Sequence, residues 1–504
     1  MESFLQSSLR QKNLLAVKQG GWGVTWVLLA MLAALSAASL LARFRHASAP
    51  ADQTYQLLLQ QGEVQDPASL PPLQANAPGQ LMTLDPTRKF LVNTISGKPV
   101  FITGEDAFSL QSQLSDADIQ FYLNDRRSRG FNAIWVGLVD NAYNNHPPHD
   151  FYGNVPFNGA DFTNENPAYW TRVDKTLTWA ASTGITVLAN PAFVGYGCQQ
   201  GYCPSYRAAS ASVLTAYGQF LGNRYKNYSN IIWLIGGDAD PTDKNVQSKL
   251  AALASGIRSA DTVHLITTES YRGYSSEQVW GGAPWLDLDG IYEKPGSIVA
   301  RARTDYQAGK YPVFMLEDWY EGEHNMTEME VRQEGYWAVL SGSTLGRLFG
   351  NFAIWSFSWP GATTSPWKAQ LPSQGSQGQA LLGKLFRSRE HWKLVPDIKH
   401  QVMTAGYGSG NTLAVAARTS DGQTVIAYIP NGSASAVTMD LSKITDAKSI
   451  AVAAWFNPRD GSATRIGAFP ATSTHVFTPP DGNDWVLVLD SQSARLGAPG
   501  GKNL

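Results

Sequence analysis

Charge is scarce in this chain: of its 504 residues, 16% are Asp, Glu, Lys or Arg, and the formal net charge is −2. Beyond the N-terminus there is no basic block, which argues against a nucleic-acid partner, because phosphate backbones are bound by concentrated positive surface. Cysteine is scarcer still. The two present, Cys198 and Cys203, lie in GYGCQQGYCPSY. Their short spacing suits a small disulfide loop, which an exported location permits, and a metal pair is the alternative. No His or third Cys lies close by in sequence. His146 and His149 have the spacing H-x-x-H but fall in the Pro-rich NNHPPHD, and His324 stands alone. No metal site and no cofactor are therefore expected. The Gly-x-Ser-x-Gly elbow of serine hydrolases is missing, as is a Gly-rich phosphate turn after the first apolar run.

One long apolar stretch is present. Arg10, Lys12 and Lys18 precede 24 uncharged residues, Gln19 to Ala42, strongly apolar from Val24 and closed by Arg43 and Arg45. About 20 apolar residues span a bilayer, whereas the apolar part of a secretory signal is roughly 7–15 residues long. The reading is a single-pass anchor in the cell membrane with the bulk of the chain extracytoplasmic. A signal cleaved at Ala47-Ser48-Ala49 is the alternative. Residues 1–45 thus form a cytoplasmic stub and anchor. Residues 46–85, rich in Ala, Gln and Pro, form a linker.

From 86 to 395 short apolar runs alternate with helical stretches. The runs are PVFITGEDA, NAIWVGLVD, TVLANPAF, IIWLIGGDAD, LITTES, LDGIYEK, PVFMLEDWYE and FAIWSFS. Their near-continuous apolar character is that of parallel strands buried on both faces. Eight such runs with helices between them predict a (β/α)8 TIM barrel. Residues 396–491 alternate apolar and polar positions, with turns at Asp421-Gly422, Asn431-Gly432 and Asp460-Gly461, and predict a small antiparallel β-sandwich. Residues 492–504 (QSARLGAPGGKNL) are expected to be a disordered tail.

In a TIM barrel the C-terminal ends of the strands carry the chemistry. Here they end in Glu105-Asp106, in Asp140-Asn141 near Tyr143, in Gly236-Gly237-Asp238-Ala239-Asp240, in Glu269, in Tyr292-Glu293, in Glu317-Asp318 followed by Trp319, and in Trp355. Acids thus gather at one rim with Tyr and Trp beside them. Paired carboxyls across a scissile bond are what glycoside hydrolysis requires, and aromatic faces suit the apolar side of a sugar ring. Each acid also has a plainer reading. Glu105, Asp106 and Asp140 could hold loops or bind substrate hydroxyls, Asp240 could start a turn or helix, and Glu321 and Glu323 are expected to be solvated. Asp238 differs because two glycines bring its backbone tightly to the rim. Glu317 differs because the apolar run YPVFML holds it in a strand, where partial burial would raise its pKa.

The segments GKPVFITGEDAF, YLNDRRSRGFNAIWVGL, WLIGGDADP, PVFMLEDWYEG, GYWAVLSGSTLGRLFGNFAIWSF and HWKLVPD together resemble the apiosidase-like glycoside hydrolase family. AWFNPRDG and FTPPDGNDWVLVLD resemble the β-domain, labelled collagen-binding, that commonly follows that barrel. The resemblance covers about residues 86–491. It implies that Asp238, in the Gly-Gly-Asp turn, is the acid/base, and that Glu317, ending the seventh strand, is the nucleophile. It also implies a retaining exo-enzyme that releases apiose from plant pectin side chains. Asp106, Asn141, Tyr292, Trp319 and Trp355 are the substrate-binding candidates. The sequence departs from the family at Gly104-Glu105-Asp106-Ala107-Phe108, where relatives often carry Gly-Asp-Thr-Ala-Trp, and at Phe349-Gly350-Asn351, where they often carry Tyr-Gly-His. The partners implied are a carbohydrate substrate and, through the N-terminal helix, the membrane. Two other readings are a non-catalytic carbohydrate-binding or envelope protein on a decayed barrel, and a hydrolase of the cell's own exopolysaccharide.

Overall fold

The computed structural model of the chain describes residues 79–430 and 436–501. The membrane anchor expected from the sequence lies outside these residues, and among the described residues no helix is long and apolar enough to cross a membrane.

Seven of the eight apolar runs supply parallel strands, and an eighth strand completes the set: β1 (Ile102–Asp106), β2 (Ala133–Gly137), β3 (Thr186–Asn190), β4 (Ile231–Ala239), β5 (Leu265–Ser270), β6 (Asp289–Tyr292), β7 (Val313–Glu317) and β8 (Gly346–Phe349). The run expected as the eighth strand, FAIWSFS, forms turns instead, and β8 comes from the preceding GRLF. Each strand is followed by a helix: α1 (Asp116–Ser128), α2 (Pro167–Ser182), α3 (Ala211–Tyr225), α4 (Lys244–Ala260), α5 (Ser276–Trp280), α6 (Ile298–Ala308), α7 (Glu328–Ser341) and α8 (Gln374–Arg387). Ser115, Asn166, Ser210, Asp243, Thr327 and Ser373 accept hydrogen bonds from first-turn amides and start their helices where N-cap chemistry predicts.

The strands pair β5-β4-β3-β2-β1-β8-β7-β6, and a short strand, Tyr274–Ser275, runs antiparallel to β6. The remaining gap between β5 and β6 is bridged by single contacts. Leu288 N donates to Ile266 O at 3.3 Å, and Ser276 Oγ joins Thr268 O at 2.8 Å and Gly290 N at 3.1 Å. The barrel is therefore nearly closed, and its interior is packed with Ile102, Trp135, Leu188, Leu234, Phe314 and Leu348. A three-stranded antiparallel sheet (Thr83–Leu84, Leu91–Asn93, Lys98–Val100) adds Met82 and Leu91 to the same core, so part of the expected linker is folded structure.

The C-terminal region is all antiparallel, with one six-stranded and one three-stranded sheet. Strict alternation buries both faces of the larger sheet. Val415, Ala417, Ile426, Tyr428, Val486 and Val488 pack with Tyr336 and Trp337 of α7 and with Leu382 and Phe386 of α8. The neighbouring Ala416, Val425, Ala427, Leu487 and Leu489 face the smaller sheet. Tyr336 and Tyr428 stack with ring centroids 4.7 Å apart. Beside them Arg332 makes two 3.1 Å hydrogen bonds to Asp484. Arg459 and Tyr428 Oη also reach the Asp484 carboxylate, so loss of Arg332 weakens its pairing without stranding the charge. Arg332→Ala is accordingly expected to lower the unfolding free energy by about 1.5–3 kcal/mol; a denaturant titration reads it directly. The segment after 491, expected as a disordered tail, is docked as far as residue 501. Arg389 donates to Gly497 O at 2.9 Å, and Gly500 N donates to Ser388 Oγ at 3.0 Å. These partners lie about 110 residues back in the chain, which local composition does not reveal.

Candidate active site

Strand alternation sorts the acids at the rim. On β1, Ile102, Gly104 and Asp106 point into the barrel, and Glu105 points out. Glu105 is buried against α1, where it accepts from Arg126 at 2.9 Å and from Tyr122 Oη at 2.6 Å. On β5 the inward positions are Leu265, Thr267 and Glu269; on β6 they include Gly290 and Tyr292.

Asp238 and Glu317 arrive by a different route, since each is delivered by an irregularity in its strand. Along β4 and β5, Gly236 pairs with Glu269 but Ala239 pairs with Ser270, so Gly237 and Asp238 bulge out. Gly236 (φ 102°), Gly237 (φ 95°) and Asp238 (φ 50°) are successive residues in the left-handed region. A Cβ on Gly237 would sit 2.2 Å from the Phe193 ring, and one on Gly236 would sit 2.4 Å from Glu269 O. The turn is pinned by Val194 N to Gly236 O (3.2 Å), Gly195 N to Gly237 O (3.0 Å) and Asn190 Nδ2 to Gly236 O (3.1 Å). Along β6 and β7, Ile291 pairs with Met315 and Tyr292 with Glu317, so one residue of β7 is skipped. Val313 and Met315 face outward into the helix layer, and the skip turns Glu317 back to the mouth. Bulges of this kind re-aim side chains beside active sites. Gly237→Ala is expected to cost about 1–3 kcal/mol through strain. It should also lower any turnover that depends on Asp238, and melting and rate measurements on one preparation would separate the two effects.

Asp106, Asp238, Tyr292, Glu317 and Trp355 all line one cavity of about 210 Å³ at the barrel mouth. Tyr320, Glu323, Phe108, Trp135, Tyr143, Phe193 and Phe352 complete the lining. Tyr143 anchors an aromatic wall, edge-on to Phe108 (5.8 Å), Phe193 (5.7 Å) and Trp355 (5.0 Å). Its hydroxyl donates to Gln200 Oε1 in the loop closed by the Cys198–Cys203 disulfide.

Two substrate-binding candidates lie elsewhere. Asn141 donates to Gly201 O at 3.1 Å and supports the disulfide loop, and Trp319 packs on His324 with centroids 4.5 Å apart. Glu321, expected to be solvated, is tied down by Asn351 Nδ2 (2.9 Å), Ser373 Oγ (2.5 Å) and Gly375 N (2.8 Å). Asn351 is thereby held by a structural contact behind the pocket. Glu323, also expected to be solvated, is partly buried in the lining. Asp140 holds its loop through Ser112 Oγ and the amides of Ala142 and Tyr143, and Asp240 closes a turn on Thr242. Among the described residues no cluster of His, Cys, Asp and Glu is arranged to hold a metal ion.

The site concentrates negative charge in a poorly solvated place. Burial pushes the Asp106 carboxyl up to about 7, against hydrogen bonds from Tyr320 and the Phe108 amide. Burial likewise pushes Asp238 up to about 7, with Arg272 opposing and Glu323 adding to the rise. Glu317 is driven well above the usual carboxylate range by burial and then by Glu269, Asp238 and Asp106. Tyr320 Oη bridges two of these acids, with a 2.8 Å contact to Glu317 and a shorter one to Asp106. Carboxyls whose proton affinity is raised toward neutrality are suited to acid and base chemistry near pH 7.

A nearly closed (β/α)8 barrel with carboxyls and aromatic rings converging at the strand ends defines a glycoside hydrolase. Residues 85–393 match the family model described as "Apiosidase-like, catalytic domain", and the chain belongs to that family. Residues 395–490 match the model described as "Putative collagen-binding domain of a collagenase". Among solved structures, one described as a glycoside hydrolase is 26% identical with a TM-score of 0.72, the match covering 82% of this chain and 97% of that one. A glycoside hydrolase family 5 protein from Bacteroides vulgatus ATCC 8482 is 25% identical with a TM-score of 0.73, covering 84% and 96%. No curated protein matches the chain.

Proposed function

We propose that this glycosidase works by the retaining mechanism, with Asp238 as acid/base and Glu317 as nucleophile. The observation that carries the reading is that two strand irregularities, on β4 and β7, turn these two carboxyls into one small pocket. In such a mechanism Glu317 attacks the anomeric carbon while Asp238 protonates the leaving oxygen. Asp238, now ionised, then takes a proton from the water that releases the sugar. A pKa near 7 suits a group that must both give and take that proton. Asp106 and Tyr292 are placed to bind sugar hydroxyls, and Tyr143 and Trp355 to meet the apolar face of the ring.

The cavity, about 210 Å³, is smaller than the ~300–1,000 Å³ typical of ligand clefts, which favours one terminal sugar over a stretch of polymer. Family membership makes apiose the first candidate sugar. The Cys198–Cys203 bond supports an extracytoplasmic location, where disulfides persist.

The test is hydrolysis of a panel of oligosaccharides with defined terminal sugars, apiose among them, by the full-length chain, with the anomeric configuration of the first product read by NMR. A first-formed sugar with retained configuration is expected. An inverted product would overturn the mechanism, and release of a different sugar with apiose untouched would overturn the substrate assignment alone.

A further inference from the structure

Glu269 is a buried acid that the two-carboxylate mechanism does not use. It continues the regular inward alternation of β5, is 2% exposed, and lies behind the lining of the pocket. Among the described residues neither carboxyl oxygen receives a well-formed hydrogen bond from a protein donor. What it faces is unusual. Its carboxyl lies against the backbone N–H of Asp238 and within hydrogen-bonding reach of the Glu317 carboxyl. The other titratable groups around it are Asp106 from β1, the Asp238 side chain from β4 and Tyr292 from β6. A cation in this neighbourhood, Arg272, acts on Asp238 and Tyr292.

Two carboxylates in contact and out of water repel, and a hydrogen bond between them needs a proton on one of them. Its place follows from solvation. Glu317 opens onto the pocket, where solvent or a substrate hydroxyl can reach it, whereas Glu269 is 2% exposed and, among the described residues, has no firm donor. The negative charge is better solvated on Glu317.

We propose that Glu269 is a neutral carboxylic acid that donates its proton to the Glu317 carboxylate, holding the nucleophile ionised and aimed at the pocket. Glu269 is thus a positioning residue and does not touch substrate. Because the same carboxyl also lies against the Asp238 amide, it ties the β4 bulge to the end of β7. The proposal rests on the reading of Glu317 as nucleophile, and the test separates the two.

Full-length Glu269→Gln, Glu269→Leu and Glu317→Gln are compared with wild type. The first readout, thermal stability against pH, needs no substrate. A carboxyl whose folded pKa is raised contributes stability that is present below its unfolded pKa of about 4.3 and lost as pH rises through the folded value. Wild type is therefore expected to lose stability between about pH 5 and 8. Glu269→Gln should flatten that fall more than Glu317→Gln does. The reverse order would place the proton on Glu317 and overturn the proposal.

The second readout is turnover of the glycoside identified by the panel. Glu269→Gln keeps a donor and should stay within about fivefold of wild type. Glu269→Leu removes the donor and should lose about 100-fold in kcat with KM little changed. Its acidic limb should move to higher pH, because an unassisted Glu317 protonates more readily. Equal losses in both variants with an unmoved limb would reduce Glu269 to packing. Wild-type turnover by Glu317→Gln would instead remove the nucleophile reading, while the melting comparison would still decide where the proton sits.

Discussion

Glu317→Gln is expected to abolish glycoside turnover, with kcat reduced by about 10⁴-fold or more and KM changed little. The amide fills the same volume and can keep its contact with Tyr320 Oη, so the pocket should persist; what is lost is an oxygen able to form the glycosyl–enzyme bond. No neighbour is placed to substitute. Glu269 is behind the lining, and Asp106 is held by Tyr320 and by the Phe108 amide at 2.9 Å. The same change should leave the fold as stable as wild type, or more stable, near neutral pH. Keeping a carboxylate charged in a buried site beside Asp238 and Asp106 costs stability, and the neutral amide removes that cost. Loss of activity with undiminished melting temperature is therefore the expected signature, read by steady-state kinetics and calorimetry together. Turnover unchanged in the variant would show that Glu317 is not the nucleophile.

Much of this site can be read from strand ends. The runs WLIGGDAD and VFMLE place Asp238 and Glu317 at one rim, and the alternation of ITGED separates inward Asp106 from outward Glu105 once it is applied. Applied to LITTES, it also identifies Glu269. Simple strand-end position treats all of these acids alike. What local pattern does not show is the pair of bulges, because a bulge is a mismatch between neighbouring strands and belongs to neither alone. Tyr320 is invisible for a related reason. It lies three residues beyond β7, and its role comes from reaching Asp106, 214 positions earlier. Glu321 misleads in the opposite direction: its partners Asn351, Ser373 and Gly375 lie 30, 52 and 54 residues away, so a residue that looks solvated is tied into the fold. Asp106 is the last residue of β1, whereas Asn141 and Trp319 lie beyond the ends of their strands, where the loops turn them to the disulfide segment and to His324.

Asp238→Asn should show its effect through the leaving group. For a glycoside whose aglycone is a poor leaving group, departure needs a proton, and loss of the acid is expected to cost about 10²–10⁴-fold in kcat/KM. For an aryl glycoside whose phenolate leaves unaided, the first step should survive. The second step would then stall, since water lacks a base, and glycosyl-enzyme should accumulate as a burst of phenolate. Added azide needs no deprotonation. It should attack the anomeric carbon, expel the Glu317 carboxylate and yield a glycosyl azide of the substrate's own configuration. The pH profile gives an independent check. Only protonated Asp238 can act as the acid in the first step, so wild-type kcat/KM should fall above about pH 7, where this carboxyl ionises. The asparagine variant should lose that alkaline limb and keep the acidic one set by Glu317. A variant equally slow on both classes of substrate and unmoved by azide would take the acid/base role from Asp238. It would pass to Asp106, the other lining carboxyl that burial pushes up to about 7.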